Sequence, residues 1–441
     1  MNWFIKFLLV LSVNITFAQQ EASVWYFGHN AGLKFEDNGT VTPLYGELFT
    51  NEGCSSIADT NGNLLLYTDG MTVYDRNHLL MPNGYYAGGT GLMGDKSSTQ
   101  SAIIVPKPGD PNIYYVFTID EPHHENGAVY PNVFSGTYND PNSGSTPTGD
   151  DGVNNGLNYS EVDLTIIGSN GSIGDVVSLN NHLVTYDLSP GGNEIKYKCS
   201  EKITAVKDTN GSDYWVITHF VDKFMAFRIT SAGVNPTPVI STLMPIVPVE
   251  GYRRNSIGYM KASPNGEKIA IAHNQIVPGF GSSVIFKGAV YVYDFDASTG
   301  IVSNPELVAA DVTAYGVEFS SSSEKLYTSF TIEAATGLGS SRITQFDLTS
   351  TNIPASGIMI YDNVSPGALQ IAPNGKIYFS GGSNVDSLGV INDPDLPGSS
   401  CNFVPQSQPL LSGTARVLGL PPFITSFFYP TFSVENFCEG M

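Results

Sequence analysis

This chain of 441 residues carries 41 acidic and 20 basic residues, so its formal net charge at pH 7 is −21. Nucleic acids and anionic membranes are bound by clusters of Lys and Arg, and the acidic excess argues against both as partners. The 46 Gly, 27 Pro and 23 Tyr, with only 14% charged residues, combine turn formers with aromatic strand formers, which indicates an all-β protein.

The N-terminus has the pattern of a signal peptide. Lys6 supplies positive charge, residues 7–17 are mostly apolar, and Thr16 and Ala18 are small residues next to a cleavage position. The apolar run is too short for a membrane anchor, and no later segment approaches the roughly 20 apolar residues of a spanning helix. We therefore expect residues 1–18 to be removed and the mature chain to be secreted or held at the cell surface, without membrane insertion.

A hairpin pattern recurs along most of the chain, with one apolar strand, a polar turn and a second apolar strand in each copy. Asn-Gly between apolar runs predicts a tight hairpin, because its two central residues adopt positive φ. A hairpin that recurs at near-constant spacing favours a radial array of small sheets, the β-propeller. The turns lie at residues 59–63, 208–211, 264–266, 321–324 and 373–375.

The spacing of the second strands gives the number of blades. These strands recur about every 50 residues from Tyr67 to Tyr378, except for a gap about twice as long between Val116 and Ile217. Residues 139–156 lie in this gap and contain almost no apolar residue, which indicates a long loop inserted into one blade. The pattern therefore predicts six complete repeats.

A seventh blade is divided between the chain ends. Residues 24–27 and 32–35 have the pattern of middle strands, whereas residues 419–424 have the pattern of a first strand with nothing after it. We predict a seven-bladed β-propeller over residues 19–430, closed by N- and C-terminal strands that share one blade, with six or eight blades as alternatives. Residues 431–441 are predicted to begin a truncated following domain or to form a disordered tail.

The four cysteines are Cys54, Cys199, Cys401 and Cys438. None has the Cys-x-x-Cys spacing of a zinc site. Cys54 and Cys199 occupy similar positions in different repeats, and we do not expect them to pair. An exported chain permits disulfides, so buried thiols and disulfides both stay open.

Several segments resemble the N-terminal propeller of large secreted Bacteroidetes proteins. They are WYFG at 25–28, EGCSSIAD at 52–59, GNLLLYTDG at 62–70, STQSAIIVP at 98–106 and GLPPFI at 419–424. Proteins of this family continue into immunoglobulin-like or PKD-type repeats and a gliding-motility-associated sorting domain of type IX secretion. The resemblance implies an adhesin-like protein that is released or held at the cell surface. The sequence departs from the pattern at Met441, where the next domain would begin.

Two glycine- and histidine-rich segments invite catalytic interpretations that their surroundings disfavour. Residues 89–94 match G-x-G-x-x-G, but no helical pattern follows, so we expect a glycine-rich loop. His123, His124 and Glu125 resemble the start of a zinc-binding helix, yet the position of the second histidine is Ala128. These three side chains are instead predicted to bind ligand from a loop.

Acidic turns raise the question of calcium, which takes six to eight oxygen ligands. The turns at Asp59 and Asp208 begin like calcium loops but lack the carboxylate at the twelfth position, so we interpret both as hairpin turns. Asp150 and Asp151, beside Asn154, are the better calcium candidates and are also predicted to bind ligand. Calcium is the one cofactor that the sequence leaves open.

These observations predict a secreted or cell-surface propeller that acts as a non-catalytic binding or adhesion module of a larger protein, with an extracellular glycan or surface protein as partner. Ligand is expected on the loop face near the central channel, with residues 139–156 facing it. The sequence contains no G-x-S-x-G elbow and no Walker loop. The alternative is a secreted propeller glycoside hydrolase or lyase that acts on polysaccharide.

Overall fold

The computed structural model describes residues 15–16, 20–121, 156–183, 199–248, 253–278, 285–333, 339–362, 364–382, 385–429 and 431–432. The strands between Val24 and Pro409 form antiparallel sheets, and the innermost strand of each sheet packs beside that of its neighbour. This arrangement is a β-propeller, and we number its blades in chain order.

The strands have the following bounds. The first strand, β1 (Ile15–Thr16), lies outside the blades. Blade 1 contains β2 (Val24–Phe27), β3 (His29–Phe35) and β4 (Val41–Phe49), and blade 2 contains β5 (Ser55–Ala58), β6 (Leu64–Thr68) and β7 (Val73–Asp75). Blade 3 contains β8 (Ala102–Lys107), β9 (Asp110–Ile119), β10 (Leu157–Ile167) and β11 (Ile173–Leu183). Blade 4 contains β12 (Ile203–Lys207), β13 (Tyr214–Phe220), β14 (Lys223–Thr230), β15 (Gly233–Val234) and β16 (Val239–Thr242).

Blades 5 and 6 share one sheet of seven strands. These are β17 (Met260–Ala262), β18 (Lys268–His273), β19 (Gly288–Asp296), β20 (Ile301–Phe319), β21 (Lys325–Glu333), β22 (Gly339–Asp347) and β23 (Ile358–Asp362). Blade 7 contains β24 (Leu369–Ile371), β25 (Ile377–Phe379), β26 (Ser387–Ile391) and β27 (Phe403–Pro409), and β28 (Thr431–Phe432) pairs with β1. The helical elements of the described residues are short 3-10 turns at Gln20–Ala22, Pro82–Gly84, Tyr86–Gly88, Arg253–Asn255, Pro354–Ser356, Gly398–Cys401 and Thr425–Phe428.

The hairpin turns form at the predicted positions, but the expectation of positive φ at both central residues is wrong. Only the glycine of each Asn-Gly pair has positive φ, at Gly62, Gly211, Gly266 and Gly375. The Asp59 carboxylate accepts hydrogen bonds from the backbone N–H groups of Asn61 and Asn63, each at 2.9 Å. Gly62 has φ +77°, a conformation that costs little without a β-carbon. A short polar side chain that bonds its own turn explains why Asp recurs at these positions.

One long strand, β20, joins blades 5 and 6. Its first part, from Ile301 to Val312, pairs with β19, and its last part, from Val312 to Phe319, pairs with β21. β20 is therefore the outermost strand of blade 5 and the innermost strand of blade 6. Asn304 and Asp311 have positive φ where the pairing shifts, as is typical of bulges that bend a strand. Counted in this way the ring has seven blades, which confirms the prediction.

Aromatic packing and a backbone bridge close the ring between blades 7 and 1. The ring of Tyr378 lies 5.6 Å from that of Trp25 and 5.2 Å from that of Phe35. The backbone groups of His29 and Ala415 exchange two hydrogen bonds, at 2.8 and 3.1 Å. The C-terminal part of the chain thus joins the N-terminal blade.

The detailed assignment of residues 419–424 as the first strand of that blade is wrong. The innermost strand of blade 1 is β2, and all four of its residues are buried. Pro421 and Pro422 have no N–H group to donate to a ladder, which explains why this segment does not extend the sheet.

Residues 418–428 instead run along the central channel, and we call them the channel segment. At one end the Leu418 carbonyl accepts the N–H of Ala368 at 2.8 Å. Further along, Ile424 bridges Ala205 on β12, and the Ser426 hydroxyl accepts the N–H of Lys207 at 2.9 Å. The segment fills the channel with buried apolar side chains, namely Leu420, Phe423, Ile424, Phe427 and Phe428.

The gap between Val116 and Ile217 is one blade, as predicted, because β10 and β11 are the outer strands of blade 3. The residues between Glu121 and Gly156 lie outside the described residues, as do most of the predicted signal peptide and C-terminal tail. Residues 89–94 form a loop, with Gly89 at φ +84°. Within the described part, no helix has the length and apolar character needed to cross a membrane.

Three cysteines, Cys54, Cys199 and Cys401, are buried free thiols. Burial raises the pKa of Cys199 to about 12 and that of Cys54 further above its ordinary range. Both therefore remain protonated at neutral pH and act as small apolar residues. The expectation that Cys54 and Cys199 do not pair is confirmed.

Candidate functional site

The two ends of the ring differ in what they carry. The inner strands all begin at one end, which we call the upper face, and the turns that follow them lie at the opposite end, the lower face. A groove of about 700 Å³ lies on the lower face beneath blades 2, 3 and 4, and we call it the lower-face groove. Its polar and aromatic lining includes Glu21, Asp59, Arg76, Lys107, Tyr114 and Tyr214.

The blade architecture places each of these side chains. Glu21 lies in the 3-10 turn Gln20–Ala22, at the lower end of the channel segment. Arg76 follows the last strand of blade 2, and Tyr114 and Tyr214 lie on the second strands of blades 3 and 4. The groove thus combines three neighbouring blades with the N-terminal segment. Among these side chains, only Asp59 stands out in the sequence, as the start of a hairpin turn. A tyrosine shortly after the turn in two successive repeats is the sequence feature that could have indicated this groove.

The two tyrosines provide neutral hydroxyls, on a half-buried ring at Tyr214 and on a buried ring at Tyr114, which is 7% exposed. Burial raises the pKa of Tyr114 and of Tyr214 to about 12, so both phenols keep their protons at physiological pH. The charges of Glu21, Asp59 and Arg76 all act on the Tyr114 hydroxyl. These groups therefore converge on one region, where they offer both donors and acceptors.

Glu21 and Asp59, two of the three carboxylates that line the groove, have different surroundings. Burial raises the pKa of Glu21. Burial acts in the same direction on Asp59, but hydrogen bonds from Asn63 and Asn61 outweigh it and hold the pKa of Asp59 below its ordinary value. The Asp59 oxygens already accept several bonds within this turn, and Asp110 accepts the N–H of Asn112 at 3.1 Å. We therefore take the Glu21 carboxylate, which accepts a bond from its own backbone N–H, as the acceptor for a ligand.

The charges of the groove are nearly balanced. Glu21, Asp59 and Asp110 face Arg76 and Lys107. Arg76 lines the groove, where its guanidinium can donate hydrogen bonds. A surface of this kind suits a polar ligand with little charge of its own.

A separate group of buried charges lies at the upper face and joins blades 3, 4 and 5. The Glu201 carboxylate accepts hydrogen bonds from the Thr99 backbone N–H (2.9 Å), the Thr99 hydroxyl (2.7 Å) and the Ser256 hydroxyl (2.9 Å). Lys202 donates to the carbonyls of Ser256 and Ile257. Since Glu201 and Lys202 have no exposed surface, this cluster stabilises the ring and does not offer a ligand site.

The predicted ligand-binding residues lie outside the described residues, and they stay predictions; they are His123, His124, Glu125, Asp150, Asp151 and the calcium candidate Asn154. The residues that flank them are at the upper face. Glu121 is 3% exposed, and its charge helps to raise the pKa of Glu201. The sequence predicts that ligand binds near the central channel. In the structure the channel segment fills this channel.

The calcium-like turns are occupied by protein groups, which confirms their interpretation as hairpins. Asp208 pairs with Arg228, with an Oδ2 to Nη2 distance of 2.8 Å, and Asp59 bonds its own turn. In the part of the chain that the structure describes, no three His, Cys, Asp or Glu side chains lie together as metal ligands would.

Two buried histidines make stability depend on pH. His219 and His273 lie with ring centroids 5.3 Å apart. Burial lowers the pKa of His219 to about 3 and that of His273 well below its ordinary value. Below pH 6.5 the unfolded chain binds protons that the folded chain does not, so the free energy of unfolding falls as pH decreases. We expect a loss of roughly 1 kcal/mol per histidine between about pH 7.5 and pH 5.5.

Urea unfolding at the two pH values, for the wild type and a His219→Gln/His273→Gln variant, measures this effect. Glu201 acts in the opposite sense, because burial raises its pKa to about 7, so the difference between the two proteins isolates the histidines. An equal loss of stability in both proteins would show that the histidines are not its cause.

Comparison with known proteins adds the following. No protein-family model and no curated protein matches the sequence. Similar solved structures include a proposed 6-phosphogluconolactonase from Bacteroides uniformis, 12% identical, with a TM-score of 0.44 over 89% of this chain and 99% of that one. A second, from Bacteroides fragilis, is 11% identical, with a TM-score of 0.45 over 90% and 97%. The Cps50 (Swd1) β-propeller domain of Myceliophthora thermophila is 10% identical, with a TM-score of 0.41 over 83% and 94%. At these values no activity is carried over to this chain.

Proposed function

We propose that this propeller is a non-catalytic binding module of an exported protein, secreted or at the cell surface, and that its lower-face groove binds an extracellular glycan. The observation that carries the proposal is the convergence of Tyr114, Tyr214, Glu21 and Arg76 in a groove of about 700 Å³. This volume lies within the range typical of ligand sites, roughly 300–1,000 Å³.

A glycan matches the chemistry of the groove. Sugar rings present apolar C–H faces, which pack on aromatic rings, and hydroxyl groups that both donate and accept hydrogen bonds. The tyrosines supply aromatic surface with a polar end, Glu21 supplies an acceptor, and the Arg76 guanidinium supplies donors. The near balance of charge favours a neutral sugar chain over a polyanion.

Variants of the groove test this proposal. Tyr214→Ala and Arg76→Met are each expected to weaken binding of a soluble neutral polysaccharide about tenfold or more, since each removes a contact worth roughly 1.4 kcal/mol. Affinity electrophoresis with β-glucan, xylan, mannan and galactan identifies the ligand, and calorimetry measures the loss. The matched control is Tyr45→Ala, because Tyr45 is 51% exposed on blade 1, away from the groove. Wild-type protein that none of these polysaccharides retards, or variants that bind like the wild type, would contradict the proposal.

A second candidate function is glycoside hydrolysis, and one observation favours it. Glu21 has a raised pKa and Asp59 a lowered one, the pattern of a general acid beside an ionised carboxylate. The bonds of Asp59 within its own turn weigh against a catalytic role. Release of reducing ends by the wild type, lost in Glu21→Gln, would establish the hydrolase; binding without release establishes the module.

Export is part of the proposal and rests on the signal-peptide pattern, together with the resemblance to gliding-motility-associated proteins. The intact mass of the native exported product tests it. Removal of residues 1–18 should leave Gln19 as the first residue, and a product that retains them would contradict export by this signal.

A further inference from the structure

A second cavity lies on blade 7, toward the upper face and away from the lower-face groove. Its volume is about 190 Å³. Three aromatic rings line it, those of Tyr361, Phe379 and Phe403, and the ring centroids of Tyr361 and Phe403 are 5.1 Å apart. Arg416 also lines this space, which we call the Arg416 cavity.

The aromatic rings that line the cavity leave no room for a β-carbon at two lining positions, Gly381 and Gly389. A β-carbon at Gly381 would lie 2.1 Å from the Phe379 ring, and one at Gly389 would lie 2.9 Å from the Phe403 ring. Either substitution would displace a ring, so the shape of the cavity depends on both glycines.

Arg416 is a buried cation without a counter-charge. The residue is only 6% exposed, and its one side-chain hydrogen bond among the described residues runs from Nη1 to the Phe379 carbonyl, at 3.1 Å. The Nε is buried and has no partner. Burial is the only influence on its pKa, and no described carboxylate acts on it. Burial lowers its pKa to about 10, so the guanidinium remains charged at neutral pH. An uncompensated buried charge is destabilising, so a role in packing does not explain why an arginine occupies this position.

We propose that the Arg416 cavity binds the carboxylate of a small ligand through the Nη2 group of the guanidinium, since Nη1 is bonded to the Phe379 carbonyl and Nε has no accessible surface. A charge-assisted hydrogen bond from a guanidinium N–H to a carboxylate oxygen is stronger than a bond between neutral groups. The aromatic walls suit the remainder of a ring-shaped or short aliphatic acid. A single cation favours a monoanion over a phosphate, whose greater charge calls for more donors. This site is independent of the lower-face groove.

The test uses sodium glucuronate as probe, with sodium acetate, sodium sulfate and glucose at matched ionic strength. Glucuronate is expected to raise the melting temperature of the wild-type protein and to bind in calorimetry. Arg416→Met should abolish both effects. Arg416→Lys should bind at least tenfold more weakly, because a single ammonium group cannot bond the Phe379 carbonyl and also hold an N–H donor at the position of Nη2. Ser365→Trp, at the exposed rim, should block binding while Arg416 is intact.

The probes also distinguish the source of the carboxylate. Preference for glucuronate over acetate, without binding of glucose, identifies an acidic sugar, whereas equal binding identifies a simple organic acid; both support the proposal. Arg228→Met is the matched control, because Arg228 is paired with Asp208 on another blade and should leave glucuronate binding unchanged. Sulfate that binds while both carboxylates do not, or Arg416→Met that binds like the wild type, would overturn the proposal. If Arg416→Met fails to fold, Arg416→Lys and Ser365→Trp decide the question.

Discussion

A chain that ends at Leu418 is expected not to form the closed propeller. It lacks the part of the channel segment that buries Leu420, Phe423, Ile424, Phe427 and Phe428. Burial of each such side chain contributes roughly 1.5–3 kcal/mol, so their sum is of the order of 10 kcal/mol, comparable with the total stability of a typical domain. Circular dichroism and urea unfolding of this chain, beside the full-length protein, measure the effect.

Two further chains make the result specific to the channel segment. A chain that ends at Tyr429 retains the whole segment and is expected to unfold at the wild-type urea concentration. The full chain with Phe423→Ala should lose about 3–5 kcal/mol, the usual cost of removing a buried aromatic ring. An unchanged unfolding midpoint for the chain that ends at Leu418 would show that the channel segment does not stabilise the closed ring.

Lys261→Met is expected to destabilise the protein by about 3–5 kcal/mol, because it leaves a buried carboxylate without its counter-charge. The Lys261 Nζ lies 3.1 Å from Glu318 Oε2, and the two side chains are 2% and 1% exposed. Lys261 also contacts the Gln370 side chain, and the Glu318 carboxylate accepts the N–H of Ile371 at 3.1 Å. The ion pair thus joins the inner strands of blades 5, 6 and 7. Denaturant unfolding measures the loss.

A surface pair is the matched control for this substitution. Lys34 and Glu36 are 3.3 Å apart, with side chains 38% and 35% exposed, so Lys34→Met should cost less than about 1 kcal/mol. Adding Glu318→Gln to Lys261→Met removes the unpaired buried carboxylate. The double variant should therefore lose less free energy of unfolding than the sum of the losses in the two single variants. Equal costs for Lys261→Met and Lys34→Met would contradict the role assigned to the buried pair.

Local turn chemistry explains which features of the fold are predictable from the sequence. The turn at Asp59 follows from one short polar side chain and a glycine, and the seven blades follow from repetition of such turns. The division between blades 5 and 6 was less accessible, since β20 passes from one blade to the other without a loop. The path of residues 419–424 depends on a channel that exists only once the ring is closed.

The candidate sites could not be predicted from the sequence, for a related reason. Glu21, Tyr114 and Tyr214 are far apart in the chain, and the ring geometry alone brings them together. Arg416 is an ordinary residue in the sequence, and its importance comes from burial without a counter-charge. The ligand-binding side chains predicted from the sequence, such as His123 and Asp150, lie outside the described residues.

Hydrogen exchange with and without bound polysaccharide tests the central claim, that the lower-face groove binds glycan, most directly. We predict that exchange slows at the hairpin turns of blades 2, 3 and 4, residues 59–65, 106–114 and 208–214, and that this protection disappears in Tyr214→Ala. Protection confined to the upper face, or none in the presence of a polysaccharide that binds, would contradict the claim.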